Sequence, residues 1–209
     1  MGLVGMYLKA FNTLACLSWG ALLVHLIYLA SPYPCDTPNF YNHVKICHII
    51  LLFDVLHTAL GFSKGNLLTS LGQQGIRNWV VFGIMALPGR SQAEGVACLM
   101  WSIAEAIRYA HYLFDSKLTT WLRYTGFIVL YPVGYSAEML MTYYRWDIIT
   151  ACCPKVYSIE MPNALNISFD HSWAVAGIMV PVASLGMPYI YMTLLKQRPL
   201  KLKAKAKQD

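Results

Sequence analysis

"RYTGFIVLYPVGYSAEML", residues 123–140, decides how this chain is read. Apolar side chains fill nearly every position after Arg123, as in a membrane helix, yet Tyr131 is joined to Pro132, and Glu138 follows seven residues after the tyrosine. An ionisable group or a freed carbonyl in hydrocarbon costs kilocalories per mole unless something answers it. Seven residues are two helical turns, which sets Tyr131 and Glu138 on one face, ~10 Å apart along the axis. Pro132 has no N–H to give to Ile128 and disturbs the helix there, and Gly134 thins the wall beside it. Two readings stand side by side at this point. One is a structural polar pair. The other is an acid and a base, since a carboxylate carries protons and a phenol relays or donates them.

The rest of the chain supports a membrane setting. Of its 209 residues 57% are hydrophobic and only 12% charged, and the mean hydropathy is +0.46, too apolar for a soluble domain of this size. Stretches approaching the ~20 residues that cross a bilayer as helix lie near 6–30, 44–62, 67–88, 95–114, 121–144 and 172–195. The expected fold is therefore all-α: a polytopic membrane protein, one bundle of six transmembrane helices with the fifth kinked at Pro132. The bundle takes residues 1–195, and a basic tail takes 196–209. The first stretch lacks the basic start and small-residue cleavage site of a signal peptide, and it contains Tyr, Asn, Trp and His, so it counts as part of the fold. Loops are short apart from 31–43 and 145–171, which leaves no room for a separate soluble domain.

Basic residues set the orientation. The tail carries Lys196, Arg198, Lys201, Lys203, Lys205 and Lys207, which places the C-terminus in the cytosol, and an even number of spans returns the N-terminus there. Lys64 and Lys117 then fall in cytosolic turns. The long 145–171 loop falls on the far side with the sequon Asn166-Ile167-Ser168, consistent with a lumen. The net charge of +6 is mostly that tail, which serves topology and attraction to anionic headgroups and gives no reason to expect nucleic acid as a partner. Its last five residues, Lys-Ala-Lys-Gln-Asp, look like a dilysine retrieval signal of the endoplasmic reticulum, beside the plainer reading of a lysine-rich end. Six cysteines make no framework. Cys16, Cys47 and Cys98 lie inside spans, Cys152 and Cys153 are adjacent, which no zinc knuckle uses, and Cys35 can pair with either of those two in an oxidising lumen.

Polar groups inside spans are where function is sought. In "FDVLHTALG", Asp54 and His57 are three apart and able to share a hydrogen bond. In "WSIAEAIRYAHY", Glu105 and Arg108 have the same spacing; either they neutralise each other, or Arg108 faces a cavity and binds an anionic or carbonyl group. Arg77 and Arg123 lie near span ends, where snorkelling to headgroups explains them. A phosphate-rich ligand arriving from the cytosol would be met there too.

With these motifs in place, the chain resembles the 3-hydroxyacyl-CoA dehydratases of the protein-tyrosine-phosphatase-like family, which carry out the third step of very-long-chain fatty acid elongation in the endoplasmic reticulum membrane. "RYTGFIVLYPVGYSAE" is similar to their signature helix. "YLKAFNTLACLSW" resembles the first span, "FDVLHTALG" the second, "QQGIRNWVVFGI" the third, "WSIAEAIRYAHY" the fourth and "MPYIYMTLLKQR" the end of the sixth. The resemblance implies that Tyr131 and Glu138 are the catalytic pair and that Glu105 and Arg108 match the polar pair of the fourth span. It departs at Asp54, where glutamate is more usual, at Phe11, where tyrosine is usual before Asn12, and in the turn "GFSKGNLLTS"; these bear on substrate fit more than on chemistry. No cysteine has an arginine six positions on, so no phosphatase loop exists.

Dehydrating a 3-hydroxyacyl thioester removes a proton from C2 and protonates the hydroxyl that leaves C3, which asks for one acid and one base and no metal or cofactor. Tyr131 and Glu138 supply such a pair, with Glu138 favoured for direct proton transfer. The charge gathering on the thioester oxygen needs a donor, Arg108 or a backbone N–H freed near Pro132. The acyl chain would lie among the apolar helix faces, against membrane lipid, and the CoA phosphates near the cytosolic ends, within reach of Arg77, Arg123 and Lys117. Two other classes compete: a non-catalytic scaffold binding other elongation enzymes, which has no need of two polar groups in lipid, and a small transporter, which would show a repeat between halves that this sequence lacks.

Overall fold

The computed structural model describes residues 2–29, 37–63, 65–89, 91–151 and 157–207. Lys64 and the pairing of Cys35 with Cys152 or Cys153 lie outside them. Among the described residues the chain is helical apart from its turns and loops, the last of which holds an isolated antiparallel bridge between Ile159 and Phe169. The helices are α1 (Leu3–Leu29), α2 (Pro38–Ala59), α3 (Leu67–Trp79, running on through a π-helical turn Val80–Ile84), α4 (Gln92–Phe114), α5 (Lys117–Tyr144), a short α6 (Trp146–Thr150), α7 (His171–Ala174) and, after a second π-helical turn Val175–Met179, α8 (Val180–Ala206). Each of the six expected spans coincides with one long helical stretch. Two of these, Leu3–Leu29 and His171–Ala206, are long and apolar enough to cross a membrane by length and composition alone. The other long helices carry the interior charges, such as Asp54 in α2, Arg77 in α3, Glu105 and Arg108 in α4, and Glu138 in α5.

Local chemistry sets the helix ends. Asp115, at φ +37°, turns the chain out of α4. Ser116 then starts α5 with a capping box: its hydroxyl accepts from the Thr119 N–H at 3.1 Å, and the Thr119 hydroxyl accepts from the Ser116 N–H at 3.0 Å. So tight a turn makes α4 and α5 antiparallel neighbours. Asn66 and Ser91 cap α3 and α4 by single bonds, their side chains accepting from the backbone N–H of Thr69 and of Ala93.

The long helices form a ring. α4 packs against α1 and α5, α5 against α8, α1 against α2, and α2 against α3, while α3 meets α8 at only a few points. Trp19, Leu22, Phe40, Leu51, Ile84, Tyr109, Met141 and Met179 are fully buried within it. Both ends are tied. Lys205 of α8 pairs with Asp115 at 3.2 Å. At the opposite end the buried Arg145 pairs with Glu94 and donates to the carbonyls of Leu87 at 3.3 Å and Gly89 at 3.1 Å. Residues 196–206 continue α8 through Pro199, so the division drawn at 195 falls inside a single helix. The outer surface is apolar, with Leu14, Leu17, Val24, Ile27 and Leu185 all exposed.

Candidate active site

The site grows from the opening motif. Pro132 sits inside α5 without ending it. The carbonyl it releases, on Ile128, accepts a hydrogen bond from the Tyr191 hydroxyl of α8 at 3.4 Å, so the proline's missing partner is replaced from a neighbouring helix. This corrects one expectation: a proline frees a carbonyl and no N–H, so the backbone here offers an acceptor and cannot serve as a donor to a thioester oxygen. Two residues on, Gly134 lets α4 approach closely, since a Cβ there would stand 3.3 Å from Cβ of Met100.

Tyr131, Gly134 and Glu138 line one wall of a cavity of about 390 Å³ between α3, α4, α5 and α8. The two-turn spacing read from the sequence thus places both polar groups on the same space. Glu138 Oε1 accepts from the indole N–H of Trp101 at 2.7 Å; among the described residues it has no ion-pair partner. The Tyr131 hydroxyl has no hydrogen-bond partner among them either, and its ring rests edge-on against Phe127, 5.9 Å between centroids. Both reacting candidates therefore keep hydrogen-bonding capacity for a molecule in the cavity.

Opposite them runs a chain of alternating charges. Arg77 of α3 pairs with Glu105 Oε1. Glu105 Oε2 accepts from Arg108 Nε at 2.6 Å, and Arg108 Nη2 donates to Asp54 Oδ2 of α2 at 2.6 Å. The same oxygen accepts from the Tyr109 hydroxyl at 2.6 Å. Two guanidiniums and two carboxylates cancel, which is how charge is tolerated in an apolar interior. The Glu105–Arg108 pair read from spacing is present, and Arg108 also lines the cavity. Two expectations are corrected. Asp54 and His57 share no hydrogen bond: Arg108 and Tyr109 draw Asp54 inward, while His57 bonds the Tyr7 hydroxyl at 2.8 Å. Arg77 does not snorkel, because the buried Glu105 carboxylate holds its guanidinium inside the ring.

Arg123 and Lys117 stand apart from the cavity, nearer the start of α5. Arg123 donates to the Tyr112 hydroxyl at 3.2 Å and stacks over that ring at 4.6 Å. Sequence reading missed Trp101, the donor to Glu138, and Tyr191, the answer to Pro132. For Trp101 a signal existed, since 101, 105 and 108 form an i, i+4, i+7 stripe on α4. Nothing local announces Tyr191. Among the described residues no cluster of three or more His, Cys, Asp or Glu could hold a metal ion.

Comparison with known proteins places this architecture. Residues 48–204 match the model of the family described as "Protein tyrosine phosphatase-like protein, PTPLA". The chain is 31% identical to the very-long-chain (3R)-3-hydroxyacyl-CoA dehydratase PASTICCINO 2 of Arabidopsis thaliana, covering 97% of this chain and 95% of that protein. It is 30% identical to the human very-long-chain (3R)-3-hydroxyacyl-CoA dehydratase 2, over 92% of this chain and 79% of the other. A probable enzyme of the same name from Schizosaccharomyces pombe is 29% identical, over 80% of this chain and 89% of that protein. No solved structure matches.

Proposed function

The chain belongs to the protein tyrosine phosphatase-like, PTPLA, family, and from that premise we propose that it dehydrates very-long-chain (3R)-3-hydroxyacyl-CoA to trans-2-enoyl-CoA. The observation that carries the reading is the convergence of Tyr131 and Glu138, both with unused hydrogen-bonding capacity, on one cavity walled by apolar helices. The C2 proton leaves to a base, the C2=C3 double bond forms, and the C3 hydroxyl departs protonated as water. Tyr131 and Glu138 are the acid–base pair, with Glu138 in direct proton transfer. Arg108 Nη1 lies outside both of its guanidinium's bonds, and it is the donor for the charge that gathers on the thioester oxygen. The reaction draws on these side chains and on the CoA thioester itself, with no further cofactor.

The apolar exterior and the alternation of the long helices support a six-span bundle in the membrane of the endoplasmic reticulum, with both termini in the cytosol. The Asp115–Lys205 contact puts the α4–α5 turn and the basic end of α8 at one end, as that topology requires. Arg123 and Lys117, at this same end, receive the phosphates of the carrier, while Arg77 acts at the chamber wall. Other elongation enzymes are the partners expected on the membrane. A scaffold without turnover has no use for an acid–base pair turned into a cavity, so the catalytic reading is preferred.

Tyr131→Phe and Glu138→Gln, made separately and purified folded, test the reading by conversion of a long-chain 3-hydroxyacyl-CoA to the enoyl product. Each is expected to lose about 10²–10⁴-fold in rate. Near-normal turnover in either folded variant rejects that residue's role.

A further inference from the structure

The cavity is too short for the substrate it is proposed to serve. Its lining runs from Leu130 to Glu138 on α5 and from Val182 to Ile190 on α8, an eight-residue rise of roughly 12 Å. One ordinary lipid tail fills half of a ~30 Å hydrocarbon core, about 15 Å, and a very long acyl chain needs more. The surplus has to leave the ring somewhere.

Among the described residues, the exposure of the lining points to one seam. Leu68 and Tyr189 line the cavity, yet they are 80% and 69% exposed, so the space reaches the outer surface where they stand, between α3 and α8. That is also the joint at which the ring is least packed. A glycine stands on each side of it, Gly72 on α3 and Gly186 on α8. Both line the cavity, and a Cβ built on either would meet nothing within 4 Å. Beyond the gap the surface is apolar, with Leu71 and Leu185 exposed. Further along the two helices, past Glu138 on α5 and ahead of Val182 on α8, Met141 and Met179 are fully buried.

We propose that the α3–α8 seam is a lateral portal, through which the distal part of the acyl chain passes out of the reaction chamber between Gly72 and Gly186 into the surrounding lipid. The inference rests on the dehydratase reading and adds a consequence to it. The ring grips only the reacting end and the first part of the chain, so substrate length is limited by the bilayer and not by a floor inside the protein. The hydrophobic gain of seating additional methylenes then comes from lipid, and the enzyme accepts a series of lengths with one chamber.

The test compares wild-type protein with Gly72→Leu and Gly186→Leu in lipid nanodiscs, on 3-hydroxyoctanoyl-CoA and on a very-long-chain 3-hydroxyacyl-CoA. Leucine is the better helix former, and both sites have open space, so folding is preserved. The ratio of long-chain to short-chain kcat/KM is expected to fall by about tenfold or more in each variant. An unchanged ratio, or an equal loss on both substrates, overturns the portal. A second measurement needs no turnover: a saturated very-long-chain acyl-CoA bearing a terminal diazirine is photolysed on the wild-type protein. Labelling of lipid, Leu71 or Leu185 is expected, and labelling of Met141 or Met179 overturns the proposal. Absence of wild-type dehydration with labelling at the seam would reject the reaction and leave the portal standing.

Discussion

Replacing Trp101 by phenylalanine isolates the single hydrogen bond that orients Glu138. The phenyl ring preserves most of the packing against His48, whose ring lies 4.8 Å from the indole, and presents an aromatic face to the Arg77 guanidinium, now 5.5 Å from the tryptophan. What is lost is the 2.7 Å donation from the indole N–H to Glu138 Oε1. A hydrogen bond to a charged group contributes about 1.5–3 kcal/mol, and each 1.36 kcal/mol of barrier is about tenfold in rate. The expected fall in kcat is therefore about ten- to a hundredfold. KM should change little, because the indole N–H is occupied by the protein's own carboxylate. The assay is enoyl-CoA formation by detergent-solubilised enzyme, run as a cycle with Glu138→Gln. If Trp101 acts through Glu138, the double variant is no slower than Glu138→Gln alone. Multiplied losses, or a Trp101→Phe enzyme with normal kcat, would refute the positioning role.

Other perturbations read the scaffold. Glu105→Gln strips the carboxylate shared by Arg77 and Arg108, and thermal unfolding in detergent should show a loss of about 3–5 kcal/mol, as for a broken buried ion pair; an unchanged transition would mean that the charges are solvated. Gly134→Ala places a methyl 3.3 Å from Cβ of Met100 and should destabilise by about 1 kcal/mol or more in that unfolding assay; an unchanged transition would mean that α4 and α5 move apart there at no cost. Tyr191→Phe leaves the Ile128 carbonyl without its partner at the proline, and a loss of about 1 kcal/mol in the same unfolding assay is expected.

Much of this protein was legible along the chain because its signals are periodic and local. The apolar runs marked the long helices, although α2 begins six residues before the expected start at 44 and α8 runs eleven residues past the expected end at 195; hydrophobic length answers to the bilayer or the bundle interior and needs no tertiary knowledge. Two turns between Tyr131 and Glu138 dictated a shared face, and the three-residue step from Glu105 to Arg108 dictated their contact; helical geometry alone carries both statements. Spacing within one helix says nothing about partners from another. That is why Asp54 went to Arg108 and Tyr109 and not to its helical neighbour His57, why Arg77 turned inward to Glu105, and why the carbonyl freed by Pro132 was answered from α8, 59 positions further along at Tyr191. The cavity and the loose joint between α3 and α8 belong to the same class of fact. They arise from how six helices close a ring, a packing outcome that no single helix encodes, and they turn two polar residues on one face into a chamber with an open side.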